Sequence, residues 1–129
     1  MRIRIYSILL LFLALFPIEF FYSQERKIVI FAEVDSLPGN SKVYITGGND
    51  ELGNWFNMQK MKKRSFNTWS FKTYANTGDT LFFKFTRGDW NTEAVDSNGI
   101  EFPNFMHVVQ GDTTLIFKIT KWRDQVQQK

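Results

Sequence analysis

The sequence predicts an all-β protein, an immunoglobulin-like antiparallel β-sandwich of about seven short strands, with a small barrel as the alternative. Three observations carry this. Residues alternate between two faces in several segments, most clearly in 80–87 (TLFFKFTR). There Leu81, Phe83 and Phe85 share one face, and Phe82, Lys84 and Thr86 the other. Turn-forming Gly, Pro, Asn and Asp separate those segments at short intervals. Aromatic residues make up 17% of the chain, with Phe the commonest, as packed β cores require.

The elements follow in order. Residues 1–23 read as a signal peptide: Arg2 and Arg4, an apolar run over 5–16, then Ser23 before Gln24. Phe21 departs from the small-residue cleavage pattern. An uncleaved membrane anchor is therefore the alternative, although Pro17 and Glu19 make it a marginal span. The expected location is exported: secreted, periplasmic or on the cell surface. Residues 24–129 form the single domain. Residues 27–34 (KIVIFAEV) are the first strand, and 37–40 (LPGN) a turn. Residues 42–46 form a second strand, stopped by Gly47-Gly48. Residues 69–74 (WSFKTY) alternate by two, and 77–79 turn the chain into 80–87. Asp96-Ser97-Asn98-Gly99 is a hairpin-type turn, because Asn-Gly accepts positive φ readily. Residues 105–109 and 113–122 complete the set, with Leu115, Phe117 and Ile119 on one face.

Composition excludes several chemistries. There is no Cys, so a disulfide framework or thiolate metal site is out, and a single His, His107, leaves little from which to build a zinc site. No cofactor is expected. His107 lies among apolar strand residues and reads as structural. The acidic pairs Asp50-Glu51 and Glu93 with Asp96 read as solvated turn residues rather than a catalytic dyad. Asp96-x-Asn98-Gly99 copies a fragment of a calcium loop without its remaining ligands. The formal charge of +3 gives no ground for a nucleic-acid partner. The one basic cluster, Lys60-Met61-Lys62-Lys63-Arg64, reads as a solvated loop, with Met58 and Met61 tucked back onto the sandwich.

The tryptophans divide into two pairs. Trp69 opens one alternating strand and Trp122 closes another, so both read as core. Trp55 and Trp90 each follow a polar, glycine-containing turn, Gly53-Asn54 and Gly88-Asp89. A loop indole with polar neighbours suits a ligand with an apolar face and a polar rim, and a sugar ring has that shape.

The motifs fall in a definite order: VYITGGNDELGNW (43–55), NTWSFK (67–72), GDTLFFKFTRGDW (78–90) and KITKWRD (118–124). This series resembles the starch-binding domain, carbohydrate-binding module family 20, in a bacterial version, and covers about residues 29–124. The resemblance implies a β-sandwich that binds α-glucan polysaccharide or oligosaccharide without cleaving it. It implies a site with Trp55 and Trp90 as stacking rings, Lys84 bonding sugar hydroxyls, and Glu93 and Asn104 as companions. Trp90 stands earlier than the family pattern places its second ring, and Phe105 replaces an Arg. The family's second, tyrosine-based site is not carried over, because Pro38, Gly39 and Phe66 stand there. A glucan-degrading enzyme is a further candidate partner, and a membrane enters only if the leader is retained. Two alternatives stay open: an exported interaction module without sugar binding, and the front module of a larger glucan-active protein.

Overall fold

In strand β1 (Glu25–Val34) every second residue from Ile28 to Val34 is buried, the signature of a strand with one face on a core. The same logic repeats through the computed structural model, which describes residues 24–126. The expected signal segment, residues 1–23, lies outside the described residues. In chain order there follow β2 (Tyr44–Gly47), β3 (Gln59–Lys60), β4 (Lys62–Lys63), β5 (Thr68–Asn76) and β6 (Thr80–Thr86). Then come a 3₁₀ turn (Trp90–Thr92), β7 (Ala94–Val95), β8 (Phe105–Val108), β9 (Thr113–Ile119), β10 (Lys121–Trp122) and a helical turn (Arg123–Val126). No helix among the described residues is long and apolar enough to cross a membrane.

The strands form two four-stranded sheets, ordered β4-β5-β1-β9 and β3-β2-β6-β8, plus a β7–β10 ribbon. The expected all-β sandwich is present. One feature of the expectation is corrected: the sandwich is not wholly antiparallel, because β9 runs parallel to β1, Ile28 opposite Thr113 through Val34 opposite Ile119. A parallel pair cannot be closed by a hairpin and needs a long crossover, and here the whole second sheet provides it.

The core lies between the sheets. Ile28, Ile30, Ala32 and Val34 of β1 face Ile45 of β2 and Leu81, Phe83 and Phe85 of β6. Phe117 of β9 bridges the layers, with ring centroids 5.4 Å from Phe83, 5.7 Å from Phe85 and 4.8 Å from Phe105. Inclined contacts of this kind add about 0.5–1.5 kcal/mol each beyond area burial. Trp69 and Trp122 are buried, as their strand positions suggest, and Trp122 Nε1 donates to the Ser36 carbonyl at 3.2 Å.

The basic run is not a loop. Lys60 pairs with Tyr44 in the second sheet, and Lys62 pairs with Ser70 in the first. The chain switches sheets at Met61, which is 1% exposed and donates its N–H to Val43 O at 2.9 Å. Lys60-Met61-Lys62 thus alternates out-in-out, and the lysines sit on edge strands, where charge discourages further pairing. We predict that Met61→Ala costs about 2–5 kcal/mol in chemical denaturation, whereas Lys62→Ala stays within about 0.5 kcal/mol of wild type.

Candidate functional site

The loop after β2 is built around one buried side chain. Leu52 is fully buried, and its N–H donates to Asn49 Oδ1 at 2.9 Å. Its carbonyl accepts from Gly47 N, and Gly47 O accepts from Trp55 N, both at 2.9 Å. A Cβ on Gly47 would overlap the Phe82 carbonyl oxygen and lie 2.7 Å from Leu52 Cδ1, so only glycine permits this closure. Gly53 has φ +87°, and a side chain there would overlap Asn57 O. Asn54 and Trp55 follow at φ 52° and 67°. Left-handed backbone is uncommon outside glycine and is a genuine outlier for a bulky residue. The Leu52 anchor and the loop hydrogen bonds hold it in place.

Trp55 is consequently half-buried rather than flat on the surface. Its indole edge lies over Gly48, where an added Cβ would come 3.3 Å from Nε1. Trp90 meets it from the other loop. Asp89 caps the 3₁₀ turn, accepting from Thr92 N at 3.1 Å, while Thr92 Oγ1 accepts from Asp89 N at 3.4 Å. That cap delivers the Trp90 ring 40% exposed, with its centroid 6.3 Å from that of Trp55 and the two planes inclined by 33°. Two loops about 35 residues apart in sequence therefore present one aromatic platform.

Beneath it lies a charge network. Lys84 points away from Phe83 and Phe85, as the alternation in β6 requires, yet its side chain is only 11% exposed. Its ammonium donates to Glu101 Oε1 at 2.6 Å and sits 3.5 Å from Glu93 Oε2. Glu93 is 2% exposed and also pairs with Arg123, which reaches Glu101 as well at 3.2 Å. The expectation of Glu93 as a solvated turn residue is thus corrected: it is a buried carboxylate shared between two cations. Its N–H donates to Trp90 O at 3.3 Å, and its carbonyl accepts from Arg123 N at 2.9 Å. The network therefore ties the Trp90 turn to β6 and to the end of the chain.

Asn104 is exposed and stands one residue before β8, which pairs with β6 through Phe83 and Phe105. The same register carries Asn104 toward Lys84. Among the described residues its amide has no protein partner. Asp96 is a turn residue, accepting from Asn98 N and Ile100 N at 2.9 Å each.

Three participants were not read from the sequence. Glu101 and Arg123 complete the network, and no local pattern signals a pairing across that separation. Phe82, 41% exposed, stands beside Gly48 through the Gly48 N–H to Phe82 O bond of 3.0 Å. Its place on the outer face was legible in the alternation. The platform lies outside a cleft of about 390 Å³, lined by Leu37, Gly39, Lys42, Lys63, Phe66 and Trp69 among others. Shallow stacking on an open face requires no enclosed cavity.

Gly53→Ala should lower stability by more than about 1 kcal/mol and change the near-ultraviolet dichroism of the paired indoles. Glu93→Gln should cost about 3 kcal/mol, near the low end for breaking a buried pair, because Glu101 still holds Lys84; urea denaturation reads both.

No protein-family model matches the sequence, and a search of curated proteins finds no match. Solved structures do match. The chain is similar to the Glycoside Hydrolase Family 15 glucoamylase from Hypocrea jecorina at 19% identity and a TM-score of 0.57, over 77% of this chain and 17% of that one. It is similar to the gamma-CGTase from alkalophilic Bacillus clarkii at 19% identity and a TM-score of 0.54, over 75% and 15%. It also matches the family 20 CBM of the maltotetraose-forming amylase from Pseudomonas saccharophila at 15% identity and a TM-score of 0.49, over 70% and 99%. The chain thus spans about a sixth of the length of the first two proteins. At these identities the likeness is one of fold, and for the first two proteins it extends over 75–77% of this chain.

Proposed function

We propose that this chain is a non-catalytic carbohydrate-binding module that holds starch- or glycogen-type α-glucan by stacking on Trp55 and Trp90. The observation that carries the reading is the pairing of these two half-exposed indoles at 6.3 Å and 33°. The axial C–H faces of successive glucose units lie on the two rings. An α-1,4-linked chain curves, so neighbouring units are inclined to each other, and a tilted pair suits them better than it suits a flat β-linked ribbon. In this reading Lys84 supplies its third ammonium N–H to a sugar hydroxyl, since its carboxylate partners account for two. Glu93 holds Lys84 and the Trp90 turn in place. The Asn104 amide serves hydroxyls at the rim. The site is shallow and preformed, so the dissociation constant is on the order of 0.01–1 mM. The reading includes export, with the α-glucan outside the cell, and attachment to or action beside a glucan-degrading enzyme.

One observation favours a second reading, an interaction module of the same fold without sugar binding: the Lys84 ammonium is already engaged by two carboxylates. The test separates the two. The purified chain is titrated with maltoheptaose and with cellohexaose, following tryptophan fluorescence and heat. Saturable binding to maltoheptaose alone is expected, weakened at least about tenfold by Trp55→Ala and by Trp90→Ala separately. Binding unchanged in either variant would remove that ring from the site. A folded protein that binds neither sugar would favour the interaction module.

A further inference from the structure

The first sheet carries on its outer face a groove that the tryptophan platform does not use. It encloses about 260 Å³ between β4 and β5, with Val29 and Phe71 among its walls and four cations around it, Lys60, Lys62, Arg64 and Lys72. Lys60 ends β3, Lys62 opens β4 across the sheet switch at Met61, and Arg64 follows β4, so three cations recur at every second residue of this segment. Lys72 joins them from β5, two residues beyond Ser70, the pairing partner of Lys62. Lys63 points the other way, with its ammonium 5.9 Å from the centre of the Trp69 ring.

Among the described residues these four cations make no ion pair; the five pairs there involve Lys84, Arg87 and Arg123 on the cationic side. The pKa of Lys60 is lowered by its side-chain hydrogen bond with Lys42 and by the Coulomb repulsion of that neighbouring cation. Arg64 is oriented: its Nε donates to Ser70 Oγ at 2.8 Å. A guanidinium held through Nε keeps its two terminal nitrogens for an oxyanion. Edge protection explains lysines on β3 and β4, but not Lys72 on the interior strand β5. The overall charge is only +3, so the positive charge here is segregated rather than general.

We propose that this groove binds an acidic polysaccharide, with sulfate or carboxylate groups of successive units set against Lys60, Lys62, Arg64 and Lys72. The volume suits one charged ring with its substituent, and several cations in succession suit a repeating polyanion. Lys60 stands on β3 of the second sheet, the other lining residues belong to the strands and edge of the first, and none of them is in the Trp55–Trp90 platform, so the site stands or falls independently of it.

The probe is a heparin hexasaccharide, titrated into the full chain by calorimetry and by amide chemical-shift mapping. Saturable binding is expected, with shifts centred on residues 60–64 and 70–72 and affinity falling steeply as salt rises from about 0.05 to about 0.5 M. Lys62→Glu combined with Lys72→Glu should weaken binding at least about tenfold while leaving the melting temperature and the response to maltoheptaose unchanged. Shift mapping on the wild-type chain keeps the test valid if that variant misfolds. Equal binding by a folded variant, shifts centred elsewhere, or no binding would overturn the proposal. So would binding to phosphatidylglycerol vesicles or single-stranded DNA without binding to the hexasaccharide.

Discussion

The candidate site depends on one buried carboxylate. Glu93 joins Lys84 of β6 to Arg123 beyond β10, and its backbone holds the turn that carries Trp90. A carboxylate at 2% exposure is costly unless opposite charge surrounds it, and here two cations, Lys84 and Arg123, do so. The arrangement fixes where the second indole stands relative to the first. Without it the Asp89-capped turn would be one short, exposed segment, with only its own cap to orient Trp90.

The first indole is fixed by different means. Leu52 inserts into the core, glycines at 47 and 53 admit the tight return, and Trp55 takes a left-handed conformation that its own side chain disfavours. Strain at one ring and buried charge beneath the other both spend stability on geometry. A platform fixed before any ligand arrives loses little entropy on binding, which is how a shallow surface can bind at all.

The sequence was informative where a residue's role is local. Alternation in β6 put Phe83 and Phe85 inward and Lys84 outward, and Gly53-Asn54-Trp55 announced a shaped loop. It was uninformative where partners are distant. Nothing near Glu93 signals that Arg123 will cover it, and nothing near Lys84 signals burial by residues 93–101. The parallel β1–β9 pair was hidden for the same reason, since its two strands are separated by almost the whole domain. The basic run was read correctly as exposed lysines around an inward Met61, but one inward residue was too brief a period to reveal that the run forms two edge strands rather than a loop. Motif order nonetheless led to the fold that the solved structures share at 19% identity.

The most direct test of the paired platform is an isotope-filtered NMR experiment on the chain saturated with β-cyclodextrin. The account predicts intermolecular contacts from sugar C–H protons to the indole rings of both Trp55 and Trp90. Contacts confined to Phe66 and Trp69, or to neither pair at saturation, would contradict it.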